Sequence, residues 1–245
     1  MSTDKETLNK IASEYHEQDM MSDKFIEDLC QINTYNWVFE NLKGAKSVLE
    51  MGFGEGNFTR AIVEQGYRPT LLDGSDILLE KAKNLHGDKI VAVHSLFEEY
   101  QPQNKFDCIV CTHVLEHVDS PATLLNRMRD WINECGKIII IVPNKESIHR
   151  QLAVIMGLQP QLDTLGARDK LVGHQRVYSL ETLSNEILDS GYEISESVGF
   201  FLKTLPNSMM LDYSQELIIA LNKISQILPK NLLANIGIVA KKKNA

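Results

Sequence analysis

The chain is poor in the residues that mark a disulfide framework, a membrane span or a basic nucleic-acid surface. Its 245 residues include four cysteines and seven prolines, and 25 lysines and arginines stand against 33 aspartates and glutamates. No apolar run is long enough to cross a bilayer, and the polar N-terminal residues lack the apolar centre of a signal peptide. The net charge of −8 opposes binding to a phosphate backbone. We therefore expect a cytoplasmic protein with no nucleic-acid and no membrane partner.

The cysteines do not indicate a metal site. Cys108 and Cys111 have C-x-x-C spacing, but they lie on a predicted buried strand rather than on a turn. Cys30 and Cys135 show no metal-ligand pairing. We predict that Cys108 and Cys111 are small buried residues in a reducing compartment, and that the chain holds no metal.

The most informative stretch is residues 50–56, where glycines stand at 52, 54 and 56 between a short apolar run and a helix start. Glycines reach backbone conformations closed to other residues and let a ligand lie against the main chain. The helix N-terminus then offers free N–H groups that favour electron-rich ligands. Asp73 closes the next strand, where a carboxylate can accept both ribose hydroxyls of an adenosine. The pattern predicts a nucleotide-like cofactor.

The spacing of this loop separates two classes of cofactor protein. A dinucleotide fingerprint reads G-x-G-x-x-G, whereas this chain reads E-x-G-x-G-x-G, with Glu50 two residues before the first glycine. A nicotinamide oxidoreductase would share the glycines and Asp73, and it stays open as an alternative. The spacing favours a different cofactor.

Strand and helix patterns alternate along the chain. This alternation predicts an α/β fold, a Rossmann-like seven-stranded and mostly parallel sheet with helices on both faces. Residues 145–176 are too long for a plain connection and predict a lid insertion after strand 5. The predicted strands cover residues 47–49, 68–73, 89–94, 106–111, 136–142, 192–201 and 235–240, and the predicted helices cover 57–63, 75–85, 121–134, 180–190 and 212–228.

The sequence after the fourth strand carries a family resemblance. Residues 114–118 read Val-Leu-Glu-His-Val, with Phe106-Asp107 before them and Pro121 after them, and the fifth strand ends Val-Pro-Asn at 142–144. Over about residues 47–144 the chain resembles class I S-adenosylmethionine-dependent methyltransferases of the group with a Leu-Glu-His motif, small-molecule type. The resemblance implies two parts: an N-terminal helical cap over residues 1–44, and a methyltransferase domain over 45–245 that contains the lid.

The resemblance implies S-adenosyl-L-methionine as cofactor. The glycine loop would hold its methionine end, Asp73 its ribose, and the residues after the third strand its adenine. The third strand departs from many relatives, because His94 and Ser95 stand where an acid would hold the adenine amino group. Tyr15 would close on the methionine end, or it is only a packing residue of an amphipathic helix. The predicted cofactor-binding residues are Tyr15, Glu50, Gly52, Phe53, Gly54, Gly56, Asn57, Asp73, Gly74, Ser75, Ser95, Leu96, Phe97, Thr112 and His113.

Methyl transfer to a hydroxyl needs a base, and histidine titrates near working pH. The candidates are His117, His149 and His174. Residues 173–179 resemble a G-H-x-R-x-Y/F-(S/T) segment that lies near the substrate mouth in small-molecule members, although a helix-entry loop capped by Ser179 would also explain them. Arg150, Arg176 and Tyr178 are the predicted substrate-binding residues.

The expected activity is O-methylation of a small polar molecule, a sugar or a secondary metabolite, by a monomer or homodimer. Two alternatives stay open: N-methylation of a small amine or amino sugar, and a non-catalytic methyltransferase-like binding subunit. The sequence does not fix the acceptor atom.

Overall fold

A computed structural model of the chain describes residues 5–17 and 24–243. Within them, seven strands form one sheet in the order β3-β2-β1-β4-β5-β7-β6. The first five strands are parallel, and β7 runs antiparallel to both of its neighbours. The predicted Rossmann-like, mostly parallel sheet is confirmed. The strands are β1 (Val48–Met51), β2 (Thr70–Asp73), β3 (Val91–His94), β4 (Phe106–Thr112), β5 (Ile132–Pro143), β6 (Tyr192–Phe200) and β7 (Asn235–Lys242).

Serine side chains cap the N-termini of several helices. The hydroxyls of Ser75, Ser120 and Ser179 accept hydrogen bonds from the backbone N–H groups of Leu78, Thr123 and Thr182. The bounds of the described helices are α1 (Lys5–Glu17), α2 (Lys24–Leu42), α3 (Asn57–Glu64), α4 (Asp76–His86), α5 (Pro121–Trp131), α6 (Ile148–Ile155), α7 (Ala167–Leu171), α8 (Leu180–Asp189) and α9 (Gln215–Ile224). None of the described helices is both long and apolar enough to cross a membrane.

Two helices are shorter than predicted. The helix expected over 121–134 ends at Trp131, because Ile132 already pairs with Phe106 of β4 ahead of a register shift. The helix expected over 212–228 spans Gln215–Ile224, because Ser214 caps its start and its end tightens into a 3₁₀ turn at Ser225–Ile227. Strand pairing and side-chain capping determine where these two helices begin and end. Apolar periodicity alone predicts neither of these effects.

The core lies on both faces of the sheet. Along β5, Ile138 and Ile140 pack into the cluster beneath α5 and α8, whereas Ile139 and Ile141 pack into the cluster beneath α2 and α3. A strand covered on both faces is continuously apolar, as this run is. Cys108 and Cys111 are free and fully buried, as predicted.

The N-terminal helices pack onto the sheet region rather than standing apart. Val38 and Leu42 of α2 share a core cluster with Val110 and Ile139. On α1, the Asn9 side-chain oxygen accepts a hydrogen bond of 2.7 Å from the Ser75 hydroxyl, at the end of β2. Helix α1 therefore lies beside Ser75, a predicted cofactor-binding residue, although the division at residue 44 stays a prediction.

The carboxyl ends of the central strands bring the predicted site together. Leu72 of β2 and Cys111 of β4 both pair with Met51 of β1, and Asp73 pairs with His94 of β3. The glycine loop follows β1 directly, so the loop, Asp73 and the end of β4 meet at one edge of the sheet, where ligands bind in such folds.

Candidate active site

The glycine loop has the backbone that its sequence predicts. Gly52, Gly54 and Gly56 have φ of +81°, +53° and +82°, in the left-handed region that side chains rarely adopt. The N–H of Gly52 donates to the Leu72 carbonyl at 2.8 Å, which ties the loop to β2. Gly56 also lies against the ring of Phe53, because an added Cβ would fall 2.4 Å from Phe53 Cζ. Glycine is therefore required at position 56 for both backbone and packing.

We predict that Gly56→Ala lowers the free energy of unfolding by about 2–4 kcal/mol, of which left-handed backbone costs about 1–2 and overpacking against Phe53 the rest. Gly66→Ala is the matched control, because Gly66 has φ +86° and open space around its Cα. The free energy of unfolding of Gly66→Ala should fall only by the contribution of the left-handed backbone. Urea denaturation of both variants measures the difference, and equal losses would show that Phe53 does not constrain this position.

Asp73 connects the glycine loop to the start of α4. Its carboxylate is buried and accepts hydrogen bonds from the Phe53 N–H at 2.7 Å and the Ser75 N–H at 2.8 Å. Burial raises the pKa of Asp73, and the two backbone N–H groups oppose that rise. A carboxylate offers about four lone-pair sites, so Asp73 can accept a further hydrogen bond from a ligand hydroxyl.

Glu50 is buried at the end of β1, where its Oε1 accepts a 2.6 Å hydrogen bond from the Thr59 hydroxyl of α3. Its Oε2 is buried without a hydrogen-bond partner among the described residues. Burial raises the pKa of Glu50 to about 8, the Thr59 hydrogen bond opposes this, and the charge of Asp73 adds to it. An orphaned acceptor two residues before the glycines fits a ligand that brings an N–H donor, as the ammonium group of S-adenosylmethionine does.

Two of the other predicted cofactor residues, Ser95 and Leu96, lie beside Asp73 and Gly74. The Ser95 N–H donates to the Asp73 carbonyl at 3.1 Å, and a Cβ on Gly74 would lie 3.1 Å from the Leu96 side chain. Phe97 packs partly buried against the core. Asn57 begins α3, and its amide contacts Glu55 at 3.3 Å. The side chain of Tyr15 lies outside the described residues, so its predicted contact stays a prediction.

The end of β4 carries a strained residue. His113 follows Thr112 with φ +55°, which is uncommon for a non-glycine residue and costs about 1–3 kcal/mol. Its N–H donates to the Ile141 carbonyl at 2.8 Å, and its Nδ1 lies 3.2 Å from Glu116 Oε1. Such strain persists where surrounding contacts fix it, and it is concentrated at functional sites.

The lid segment is tied to the loop that follows β4. The Gln175 N–H donates to the Glu116 carbonyl at 2.7 Å. The Arg176 guanidinium donates to the carbonyls of Leu115, at 2.8 Å, and Val118. These contacts support a positioning role for Arg176, and its predicted contact with a substrate stays a prediction.

A cluster of three ionisable side chains lies at this junction. Glu116, His117 and His174 each offer one polar atom within 4.8 Å of the other two, and the imidazole centroids are 4.6 Å apart. Burial raises the pKa of Glu116, but the His113 hydrogen bond and the neighbouring histidines outweigh it, so the pKa is lowered. Burial also lowers the pKa of His117. The structure thus brings two of the three predicted base candidates together.

His174 is held by an acid that the sequence analysis did not assign. Its Nδ1 lies 3.1 Å from Asp169 Oδ1, and Arg150 Nη2 lies 2.9 Å from Asp169 Oδ2. Burial raises the pKa of Asp169, but the His174 hydrogen bond, the Gly166 N–H and the Arg150 charge outweigh it and hold the pKa well below its usual range. Arg150 also donates to the Thr164 carbonyl at 3.0 Å, so it links two parts of the predicted lid insertion.

Two predicted residues lie in apolar or desolvated surroundings. Burial, with the charges of Lys203 and Arg150, lowers the pKa of His149 to about 2, and its Nδ1 is buried without a hydrogen-bond partner among the described residues. His149 is therefore a poor base at neutral pH. Tyr178 is 4% exposed and belongs to the core cluster of Leu183, so its predicted contact with a substrate has little support.

The sequence analysis did not identify Thr59 or Asp169 as residues of the site. It named Glu116 only as part of the Leu-Glu-His motif and gave it no chemical role. Thr59 interrupts an otherwise apolar face of α3, between Phe58 and Ile62, and that interruption was a usable signal. Asp169 lies in no motif, and only the fold of the lid brings it to His174.

The chain is similar in sequence to known methyltransferases. A family model described as a methyltransferase domain matches residues 23–197. A ubiquinone biosynthesis O-methyltransferase from Xylella fastidiosa (strain 9a5c) is 32% identical over 122 residues, 46% of this chain and 48% of that protein. The chain spans about half the length of the curated relatives it matches.

Two solved structures share the fold. Burkholderia thailandensis 1,6-didemethyltoxoflavin-N1-methyltransferase, with bound 1,6-didemethyltoxoflavin and S-adenosylhomocysteine, has a TM-score of 0.64 at 17% identity, over 96% of this chain and 86% of that one. A methyltransferase from Mesorhizobium loti has a TM-score of 0.63 at 16% identity, over 89% of this chain and 100% of that one.

The strand order and the glycine loop between two buried acids define a class I methyltransferase, and the chain belongs to the methyltransferase-domain family. The cofactor of this class, S-adenosyl-L-methionine, supplies a methyl group carried on a positively charged sulfur. The nicotinamide alternative is thereby set aside.

Proposed function

We propose that the chain methylates a hydroxyl oxygen of a small polar molecule, such as a sugar or a secondary metabolite. The observation that carries this proposal is the cluster of Glu116, His117 and His174 beside the strained end of β4. An acceptor hydroxyl must lose its proton, and this cluster gathers groups that promote the loss. The curated relatives, which the chain matches over about half their length, are ubiquinone biosynthesis O-methyltransferases, and this supports an oxygen acceptor.

In this proposal, different residues of the chain bind different parts of the cofactor. We assign the methionine end of the cofactor to Glu50 and the glycine loop, and the ribose to Asp73. Ser95, Leu96 and Phe97 border the adenine, and Thr112 and His113 lie nearest the reacting methyl group. Transfer is an in-line displacement, so positioning the acceptor behind the methyl group supplies most of the rate.

Within the cluster, His174 is the best-oriented imidazole. Its Nδ1 faces Asp169, which leaves Nε2 available to the acceptor, and Arg150 fixes Asp169 in turn. A histidine with one nitrogen fixed by a carboxylate keeps a defined tautomer. The pKa of His149, about 2, makes it a poor base at neutral pH.

We predict that His174→Ala lowers kcat by about 10²–10⁴, the range for losing an acid–base group. The assay follows transfer of a labelled methyl group from S-adenosylmethionine to a panel of phenols, sugars, carboxylic acids and amines. His149→Ala should retain turnover. If His174→Ala keeps full activity and His149→Ala loses activity, the essential histidine is His149 of α6.

The same panel separates the alternatives. Products methylated only on amines would replace O-methylation by N-methylation of a small amine or amino sugar. Binding of S-adenosylmethionine without turnover on any acceptor would favour a non-catalytic binding subunit. A cytoplasmic location and a monomeric or homodimeric state, without a nucleic-acid partner, complete the proposal.

A further inference from the structure

The cluster at the junction of lid and β4 loop has the composition of a metal site. Glu116 is 0% exposed, and its Oε2 is buried without a hydrogen-bond partner among the described residues. An unpartnered buried carboxylate oxygen is costly, so it points to a ligand. Imidazole nitrogens of His117 and His174 lie within 4.8 Å of a carboxylate oxygen of this residue.

We propose that Glu116, His117 and His174 bind a divalent transition metal ion of the zinc class. Two imidazoles and one carboxylate are a ligand set of catalytic zinc sites, which keep a further position open. This proposal departs from our sequence-based expectation of no metal, which considered the cysteines alone.

The surroundings of both histidines match those of metal-binding imidazoles. Such a histidine donates its other ring N–H to a carboxylate or a backbone carbonyl, which fixes the tautomer. The Nδ1 of His174 faces Asp169 Oδ1 at 3.1 Å, and a ring nitrogen of His117 donates to the carbonyl of Gly173. Each ring keeps one nitrogen for an ion. Arg150 holds Asp169 in place and completes this outer layer.

Metal binding would join two parts of the chain. Glu116 and His117 belong to the loop after β4, whereas His174 belongs to the lid segment. Ligand bonds of 2.0–2.2 Å place ligand atoms roughly 3.4 Å apart, so the ion would draw the cluster together. The structure already ties these segments through the backbone contact of Gln175 with Glu116.

A role in catalysis, unlike binding itself, rests on the proposed O-methylation. The open position would take the acceptor hydroxyl and lower its pKa, so that its proton is lost to solvent. The oxygen–carbon bond then forms as the carbon–sulfur bond of the cofactor breaks. His174 would then serve as a metal ligand and not as a free base. Loss of the metal ion would be a second reason for the fall in kcat predicted for His174→Ala.

The test uses the full chain, stripped with a chelator and titrated with Zn²⁺ by calorimetry and with Co²⁺ by visible absorption, without cofactor or acceptor. We expect one ion per chain. His174→Ala should weaken binding at least tenfold, and Asp169→Asn about 10–100-fold, the range for outer-layer partners. His149→Ala, a change of the neighbouring lid histidine, should leave metal affinity unchanged.

These variants keep the proposal falsifiable if Glu116→Gln does not fold. Absence of stoichiometric binding to the wild-type chain, or equal affinity of the wild type and His174→Ala, would overturn it. Stoichiometric binding without methyl transfer to any acceptor would leave the metal site standing and refute the proposed function instead.

Discussion

Replacing Asp73 by asparagine is expected to weaken binding of S-adenosylhomocysteine by about 100-fold or more. In the structure both carboxylate oxygens already accept backbone N–H groups, from Phe53 and Ser75. The asparagine amide has one oxygen only and would set an NH₂ group against one of these donors. Each charge-assisted hydrogen bond contributes about 1.5–3 kcal/mol, and two such bonds to ribose hydroxyls account for at least a 100-fold change in affinity.

Asp76→Asn is the matched control for charge. Asp76 lies three residues further on, exposed in the first turn of α4, so the substitution removes the same charge without touching the loop. Calorimetric titration of the three proteins at one salt concentration measures the effect. Urea denaturation runs alongside, because an unpaired N–H of Phe53 or Ser75 would also lower stability. Equal affinities for the wild type and Asp73→Asn would remove the carboxylate from the cofactor site.

The features that could be predicted from the sequence are those encoded by neighbouring residues. The run of isoleucines at 138–141 marks a strand buried on both faces, and the serines at 75 and 179 mark helix starts through their own hydroxyls. The left-handed glycines at 52, 54 and 56 follow from a residue type that tolerates such backbone. Each of these signals depends only on residues that are close together in the sequence.

The features that could not be predicted depend on contacts between distant residues. Arg176 looks like a substrate ligand in sequence, but the fold gives its guanidinium the carbonyls of Leu115 and Val118. An arginine offers five donors, and neither spacing nor composition says which acceptors will take them. Arg150 behaves in the same way, since its partner Asp169 lies 19 residues later on the lid.

The clearest case is His113. Its φ of +55° cannot be predicted from the sequence, because only a few per cent of non-glycine residues adopt positive φ and the residue type alone does not say which. The Ile141 carbonyl of β5 and Glu116 Oε1 hold it on two sides. Sequence reasoning found the residue through the family resemblance, and the structure adds the strain.

Glu50 should make stability fall as pH rises. Its pKa is raised from 4.5 to about 8 in the folded chain, chiefly by burial. Between those two values the folded state binds more protons than the unfolded state, so the free energy of unfolding declines by at most about 1.4 kcal/mol per pH unit. The decline begins above the unfolded pKa and ends as pH passes the folded pKa.

Glu50→Gln should remove this slope. Urea denaturation at pH 5.5, 6.5 and 7.5 gives the difference in unfolding free energy between variant and wild type, and the relative stability of the variant should grow with pH. Glu64→Gln is the control, because Glu64 is exposed at the end of α3. If the profiles of wild type and Glu50→Gln run parallel, Glu50 is ionised in the folded chain throughout this range.

Cofactor binding should also be linked to the protonation of the Glu50 carboxyl group. The ammonium group of S-adenosylhomocysteine favours the ionised form of a carboxyl beside it, so binding below pH 8 should release up to one proton from Glu50. The release is measured by calorimetry at pH 7 in two buffers of different ionisation enthalpy, and affinity should increase as pH rises toward the pKa of about 8. Glu50→Gln should release none. If wild type and variant release the same number of protons, the orphaned Oε2 does not face the cofactor's amino group, and the methionine end is held by the glycine loop alone.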